Sequence, residues 1–97
     1  MSSGEYTVVY ERDAQDFIER LSSADRLRLL KWISKNLEGT TTPRAYGSKL
    51  RGELADYWRY RVGDYRIAAI IKDDKVVILI VDAGHRKDFY KKLSRKK

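Results

Sequence analysis

The segment Tyr57-Trp58-Arg59-Tyr60-Arg61-Val62-Gly63-Asp64-Tyr65-Arg66-Ile67 constrains this chain more than any other. Apolar and basic residues alternate along it, and Gly63-Asp64 is a dipeptide suited to a two-residue hairpin turn. Side chains alternate between the faces of a strand, so Trp58, Tyr60 and Val62 share one face while Arg59 and Arg61 share the other. With Gly63 and Asp64 at the turn, Val62 is expected opposite Tyr65, Tyr60 opposite Ile67 and Trp58 opposite Ala69, an apolar face for helices to cover. The same register sets Arg61 against Arg66, with Arg59 two positions along. Like charges directly opposite on a sheet cost about 0.2–1 kcal/mol per pair. The nearest acids, Asp56, Asp64 and Asp82, are not placed on that face by the pattern. Either the arginines splay into solvent, or an anion sits between them. A phosphate is the simpler account, because the planar guanidinium fork matches phosphate oxygens.

The rest of the chain frames this hairpin. Tyr6–Tyr10 is β-branched and aromatic and reads as a first strand. Asp13 can cap a helix whose Ala14, Phe17, Ile18 and Leu21 follow the spacing of one apolar face. Ser22 and Ser23 offer a fresh N-cap for a second helix, with Leu27, Leu30, Leu37 and either Ile33 or Leu29 along its stripe and Gly39 as its stop. Residues 39–47 are a loop carrying Arg44. Then come strands at Tyr57–Val62, Tyr65–Lys72 and Lys75–Val81, the last pair joined at Asp73-Asp74, and a terminal helix over Lys87–Leu93. The third of these strands is apolar almost throughout and belongs inside the sheet. The expectation is one α+β domain over residues 1–97. An N-terminal strand and an αα-hairpin pack on an antiparallel β-meander, with a short C-terminal helix.

Charge narrows the partners. Lys and Arg total 21 against 14 Asp and Glu, a formal net charge of +7. On so small a body this favours a polyanion or an acidic protein. There is no cysteine and one histidine, His85, so thiolate and histidine-cluster metal sites are excluded and no cofactor is expected. No signal peptide is apparent, and the apolar run Val76–Val81 is far too short to span a bilayer, which makes the cytoplasm the expected address without a membrane partner.

The run Asp82-Ala83-Gly84-His85-Arg86-Lys87-Asp88-Phe89-Tyr90 should leave the sheet near the arginines, and Arg86 and Tyr90 at i, i+4 would project from one side of a helix. Cleaving RNA needs a proton taken from the 2′-OH, a proton given to the leaving 5′-oxygen, and charge stabilised on the phosphorane. Arginine serves only the last task because it stays protonated. Proton transfer therefore falls to Tyr90 or His85, unless water or substrate supplies it. His85 is equally suited to contacting phosphate or to a structural role, and Tyr90 to core packing or base stacking.

Lys49-Leu50-Arg51-Gly52, then Tyr57 to Arg66, then Gly84-His85-Arg86-Lys87-Asp88-Phe89-Tyr90 together resemble toxins of the RelE/ParE superfamily, in the RelE-like mRNA interferase branch. The similarity extends to the order of elements over nearly the whole chain. The resemblance implies a microbial-ribonuclease-like domain that enters the ribosomal A site and cuts mRNA without a metal, through 2′-OH attack and a cyclic phosphate product. It implies catalytic roles for Arg59, Arg61, Arg66, His85, Arg86 and Tyr90. It also implies RNA or ribosome contacts among Lys31, Lys35, Arg44, Lys49, Arg51, Lys87 and Lys91, and a cognate RelB-like antitoxin. Arg59 and Arg61 stand where that branch often has lysines, so a proton relay through those positions does not carry over. Two rival readings are a ParE-like inhibitor of DNA gyrase without nuclease activity, and a non-catalytic RNA-binding module.

Overall fold

The hairpin forms in the register that the alternation requires. In the structure, a computed structural model describing residues 4–96, β3 (Trp58–Val62) and β4 (Tyr65–Lys72) are antiparallel. Trp58 lies opposite Ala69, Tyr60 opposite Ile67, Arg61 opposite Arg66 and Val62 opposite Tyr65. Gly63 turns the chain at φ +60°, left-handed backbone that glycine adopts without penalty.

The third meander strand, β5 (Val77–His85), starts two residues later than the pattern suggests and runs four residues further. Its connection is a four-residue turn, 73–76, and not the two-residue Asp73-Asp74. The long β4 supplies pairing partners as far as Tyr65, which lies opposite His85, so residues 82–85 stay in the sheet instead of leaving it. A bulge between Ala68 and Ala69 shifts the register: Ala69 faces Ile80 whereas Ala68 faces Asp82.

Two further strands complete a five-stranded mixed sheet of order β1-β5-β4-β3-β2. β1 (Thr7–Tyr10) runs parallel to β5, and the chain between them is the long connection that parallel pairing requires. β2 (Ser48–Lys49) is a two-residue edge strand on β3, within a stretch that reads only as a basic cluster. The meander is antiparallel, and β5 lies inside the sheet, between β1 and β4.

Helix α1 (Arg12–Glu19) has Glu11, not Asp13, at its N-cap position. The Glu11 amide donates to Ile80 O at 2.9 Å, which fixes where strand gives way to helix, and the Asp13 carboxylate is taken by Lys96. Ser22 does cap α2 (Ser23–Asn36), its Oγ accepting from the Asp25 amide at 3.2 Å. On α2, Leu29 and Ile33 are buried, and Leu37 at its C-cap continues the line. Leu27 and Leu30, expected on that stripe, are 55% and 38% exposed. The helix meets the sheet along Leu29, Ile33 and Leu37, with Trp32 beside them, a strip that does not include Leu27 and Leu30.

The main core lies between this helix pair and one sheet face, with Tyr60, Ile67, Ile78 and Ile80 under Ala14, Leu29, Ile33 and Leu37. The opposite face is not left to solvent. There α3 (Phe89–Ser94) and the 3-10 turn Gly52–Leu54 build a second cluster of Leu50, Tyr57, Ala68, Val81, Phe89 and Leu93. α3 starts two residues later than expected, which leaves Arg86 in the preceding turn and off the helix face that carries Tyr90. Among the described residues no helix is long and apolar enough to cross a membrane.

Candidate nucleic-acid interface

The register aligns Ser48, Arg59, Ala68 and Asp82 in one row across β2, β3, β4 and β5, on the face that α3 covers. Arg59 is the centre of the site. Its Nη1 donates to Tyr90 Oη at 2.6 Å and its Nη2 to Ser48 Oγ at 2.7 Å. Its Nε is buried without a hydrogen-bond partner among the described residues. The neighbouring Ala68 is fully buried, and its small side chain leaves room for α3 over the strands. Gly84 lets the helix begin there, because a Cβ at that position would lie 3.3 Å from Phe89 Cα. Tyr90 packs edge-on to Phe89, with centroids 4.9 Å apart, and is 37% exposed. Since Arg59 donates to the phenol oxygen, the phenol hydrogen is free to point to another acceptor.

The other expected residues distribute unevenly. Arg61 shares the Arg59 face, is exposed, and lines a cleft of about 430 Å³ with Trp32, Tyr46, Gly47, Ser48 and Arg59. Arg66 is opposite Arg61, but its guanidinium folds back on the hairpin, donating to Gly63 O and Tyr65 O at 3.0 Å. That contact relieves the like-charge repulsion locally. His85 pairs with Tyr65 on the opposite face, ring centroids 5.9 Å apart, so it is not brought to Arg59 and Tyr90. Tyr65 in turn donates to Asp25 Oδ2 at 2.8 Å, and this bond to a carboxylate, aided by burial, raises its phenol pKa. Arg86 is exposed in the turn before α3, its amide held by Asp64 O at 2.8 Å.

Of the outlying cations, Lys31 and Lys35 are exposed on α2, Lys49 and Arg51 are exposed around β2, and Lys87 and Lys91 are exposed around the start of α3. Arg44 differs. It forms a two-pronged pair with Asp73 at 3.0 and 3.1 Å, and its hydrogen bonds, with one from Tyr6, hold the Asp73 carboxyl below its ordinary range. Its charge is already partnered.

Several residues that hold the site together were not assigned to it from the sequence, and Asp82, which the pattern leaves off the arginine face, is one of them. The bulge turns Asp82 onto the arginine face, where it is buried and accepts from its neighbour Ala83 N at 2.8 Å. Lys92 Nζ lies 3.3 Å and Lys96 Nζ 3.7 Å from its carboxylate, and Lys96 also holds Asp13 of α1. Lys92 sits 4.3 Å from the Phe17 ring centroid and donates to Ala83 O. A lone carboxylate inside the apolar run Val76–Ala83 is the available signal for such a clamp, because a buried charge demands partners. Ser48 and Tyr46, in contrast, carry no sequence signal beyond their place in a loop.

This geometry has known counterparts. The family model described as ParE toxin of type II toxin–antitoxin system, parDE, matches residues 8–90. The fold is similar to the toxin in a RelBE2 toxin–antitoxin complex from Mycobacterium tuberculosis, at 26% identity and TM-score 0.77 over 90% of this chain and 98% of that one. It is also similar to one in an archaeal RelE–RelB complex from Pyrococcus horikoshii, at 28% identity and TM-score 0.67 over 84% and 96% of the two chains. The intact Escherichia coli RelBE complex matches at 27% identity and TM-score 0.67, over 82% of this chain and 95% of that one. No curated protein sequence matches significantly. With the family matched over most of its length and a RelE-like arrangement of strands and helices, the chain belongs to the ParE toxin family and is the toxin of a type II toxin–antitoxin system.

Proposed function

We propose that this toxin is a ribosome-dependent endoribonuclease that cuts mRNA in the A site, without a metal, and so halts translation. The observation that carries the reading is the Arg59–Tyr90 pair, a guanidinium and a phenol in contact beside an open cleft walled by Arg61. In the reaction the ribose 2′-oxygen attacks phosphorus, its proton passing to water, and the bond from phosphorus to the 5′-oxygen breaks. Tyr90 donates its outward hydrogen to that leaving oxygen and is reprotonated from solvent. Arg59 and Arg61 stabilise the charge that develops on the non-bridging oxygens, a task suited to fixed cations in a partly dehydrated site. The product is a 2′,3′-cyclic phosphate. Arg66 and Arg86 extend the positive field along the strand ends, and the exposed Lys31, Lys35, Lys49, Arg51, Lys87 and Lys91 supply contacts to ribosomal RNA in the cytoplasm. His85 serves as a contact at the rim, since its ring lies on the other face.

The natural inhibitor is a RelB-like antitoxin. Relatives of this fold were crystallised in RelB complexes, and a net charge of +7 suits an acidic binding arm. A second reading, inhibition of DNA gyrase without RNA cleavage, is favoured by the ParE description of the matching family. Primer extension on a defined mRNA with programmed ribosomes separates the two. New 5′ ends within A-site codons, absent without ribosomes, are expected. Intact mRNA together with inhibition in a supercoiling assay would replace the first reading with the second.

A further inference from the structure

The cleft beside Arg59 has a wall that phosphate chemistry does not explain. Tyr46 is 47% exposed, yet its backbone is firmly held. Trp58 Nε1 donates to Tyr46 O at 2.7 Å, and Tyr60 Oη donates to Pro43 O at 2.6 Å from within the core. The next residue, Gly47, has φ +79° and packs so closely on β3 that a Cβ would lie 2.1 Å from Arg59 O. The loop thus presents an aromatic ring on a fixed support. That ring meets Trp32 edge-on, at 5.7 Å and 71°, so the two rings do not cover each other face to face.

We infer that Tyr46 and Trp32 form a stacking subsite for one base of single-stranded RNA, next to the phosphate held by Arg59 and Arg61. This rests on the RNA-cleavage reading of the adjoining Arg59 site, which the cleft reaches from the α2 side of β3. The cleft volume of about 430 Å³ is that of a small-ligand site. Its lining holds two arginines and no carboxylate, whereas the cleft near α3 contains Asp13, Asp16 and Asp82, and the one beside Arg44 contains Asp56. A cleft lined by cations alone repels an anionic strand least. Arg59 has one nitrogen on Tyr90 and another on Ser48 of the cleft, so a base on Tyr46 and a phosphate at Tyr90 lie on two sides of one guanidinium. Stacking of bases on aromatic rings beside a basic track is the general mode of single-strand binding.

The test is fluorescence anisotropy with a labelled, fully 2′-O-methylated RNA hexamer, which binds but is not cut, over a range of salt. Tyr46→Ala should weaken binding on the order of 5- to 100-fold, while Tyr46→Phe retains it. The Tyr46→Ala salt dependence should match that of the unaltered toxin, whereas Arg61→Ala should lower the logarithmic salt slope by about one. Replacing the hexamer's bases one at a time by abasic sites should find a position that costs the unaltered toxin affinity and costs Tyr46→Ala nothing further. Equal affinity of Tyr46→Ala and the unaltered protein would overturn the inference and leave the nuclease reading intact, since that reading is judged on ribosomes. Failure of the unaltered toxin to bind the hexamer at low salt would overturn it too. If Tyr46→Ala instead loses antitoxin binding with RNA affinity unchanged, the cleft belongs to the protein partner and the inference is wrong.

Discussion

Lys92→Met tests whether α3 is clamped by the buried carboxylate of Asp82. The side chain of Asp82 is 5% exposed, with Lys92 at 3.3 Å and Lys96 at 3.7 Å. At an effective dielectric of about 20, unit charges at these separations attract by about 4–5 kcal/mol each, before desolvation is subtracted. Breaking a fully buried pair costs about 3–5 kcal/mol, because a charge is left without its partner. Here Lys96 and the Ala83 amide still face the carboxylate, so the expected loss is lower, about 2–3 kcal/mol including the contact with Phe17. Asp82→Asn should cost less, about 1 kcal/mol, because Lys92 and Lys96 are 35% and 22% exposed and can turn to water. In a domain of about 100 residues, 1 kcal/mol corresponds to about 4–8 °C in Tm. Lys92→Met should therefore melt about 8–24 °C lower. The double variant should lose less than the two single losses combined, by about 1–2 kcal/mol. Urea and thermal melts of the four proteins by circular dichroism measure this. Additive losses, or a Lys92→Met protein as stable as the parent, would refute the clamp.

Other consequences follow from the same contacts. Lys96 holds the Asp13 carboxyl below its ordinary value of 3.8 by a hydrogen bond and by charge. A depressed carboxylate contributes stability that is present above the unfolded pKa and lost as pH falls through the folded one. Urea melts of the parent and Asp13→Asn should then differ near neutrality and converge below about pH 3.8; a constant difference down to pH 2 would disprove the linkage. Gly47→Ala should destabilise by about 1–3 kcal/mol from left-handed backbone strain alone, more with the contact on Arg59 O, and a melt within experimental error of the parent would contradict the packing. Trp58→Ala should also lower Tm, but by less than a full core deletion, because Trp58 is only partly buried against the main cluster.

What the sequence revealed depended on how local the cause was. The register of β3 on β4 was readable because a tight turn and period-two alternation fix it within ten residues. The position of Asp82 was not, since a bulge opposite Ala68 and Ala69 reverses which face it takes, and nothing local announces a bulge there. The same limit applied to His85, whose sequence neighbours suggested the arginine site until pairing with Tyr65 set its face. Leu27 and Leu30 satisfied helical periodicity, but burial is decided by how wide a strip the partner sheet offers. Asp13 was a good cap in isolation, but the bond of the Glu11 amide to Ile80 O starts the helix two residues earlier and leaves the Asp13 carboxylate to a cation 83 residues away. Parallel pairing of β1 with β5 is likewise a choice among distant strands. The contact of Tyr90 with Arg59 spans 31 residues; strand alternation singled out Arg59 and helical spacing Tyr90, but neither pattern could show that the two meet.

The central claim is that Tyr90 delivers the proton to the leaving 5′-oxygen. It is tested most directly by an mRNA carrying a single 5′-bridging phosphorothioate at the A-site cleavage position, because a thiolate departs without protonation. With the ordinary message, Tyr90→Phe should cut about 10²–10⁴-fold more slowly than the parent. With the sulfur-bridged message that defect should largely disappear, while the defects of Arg59→Ala and Arg61→Ala persist. Equal rate losses for Tyr90→Phe on both messages would contradict the assignment and leave Tyr90 as a group that positions the strand.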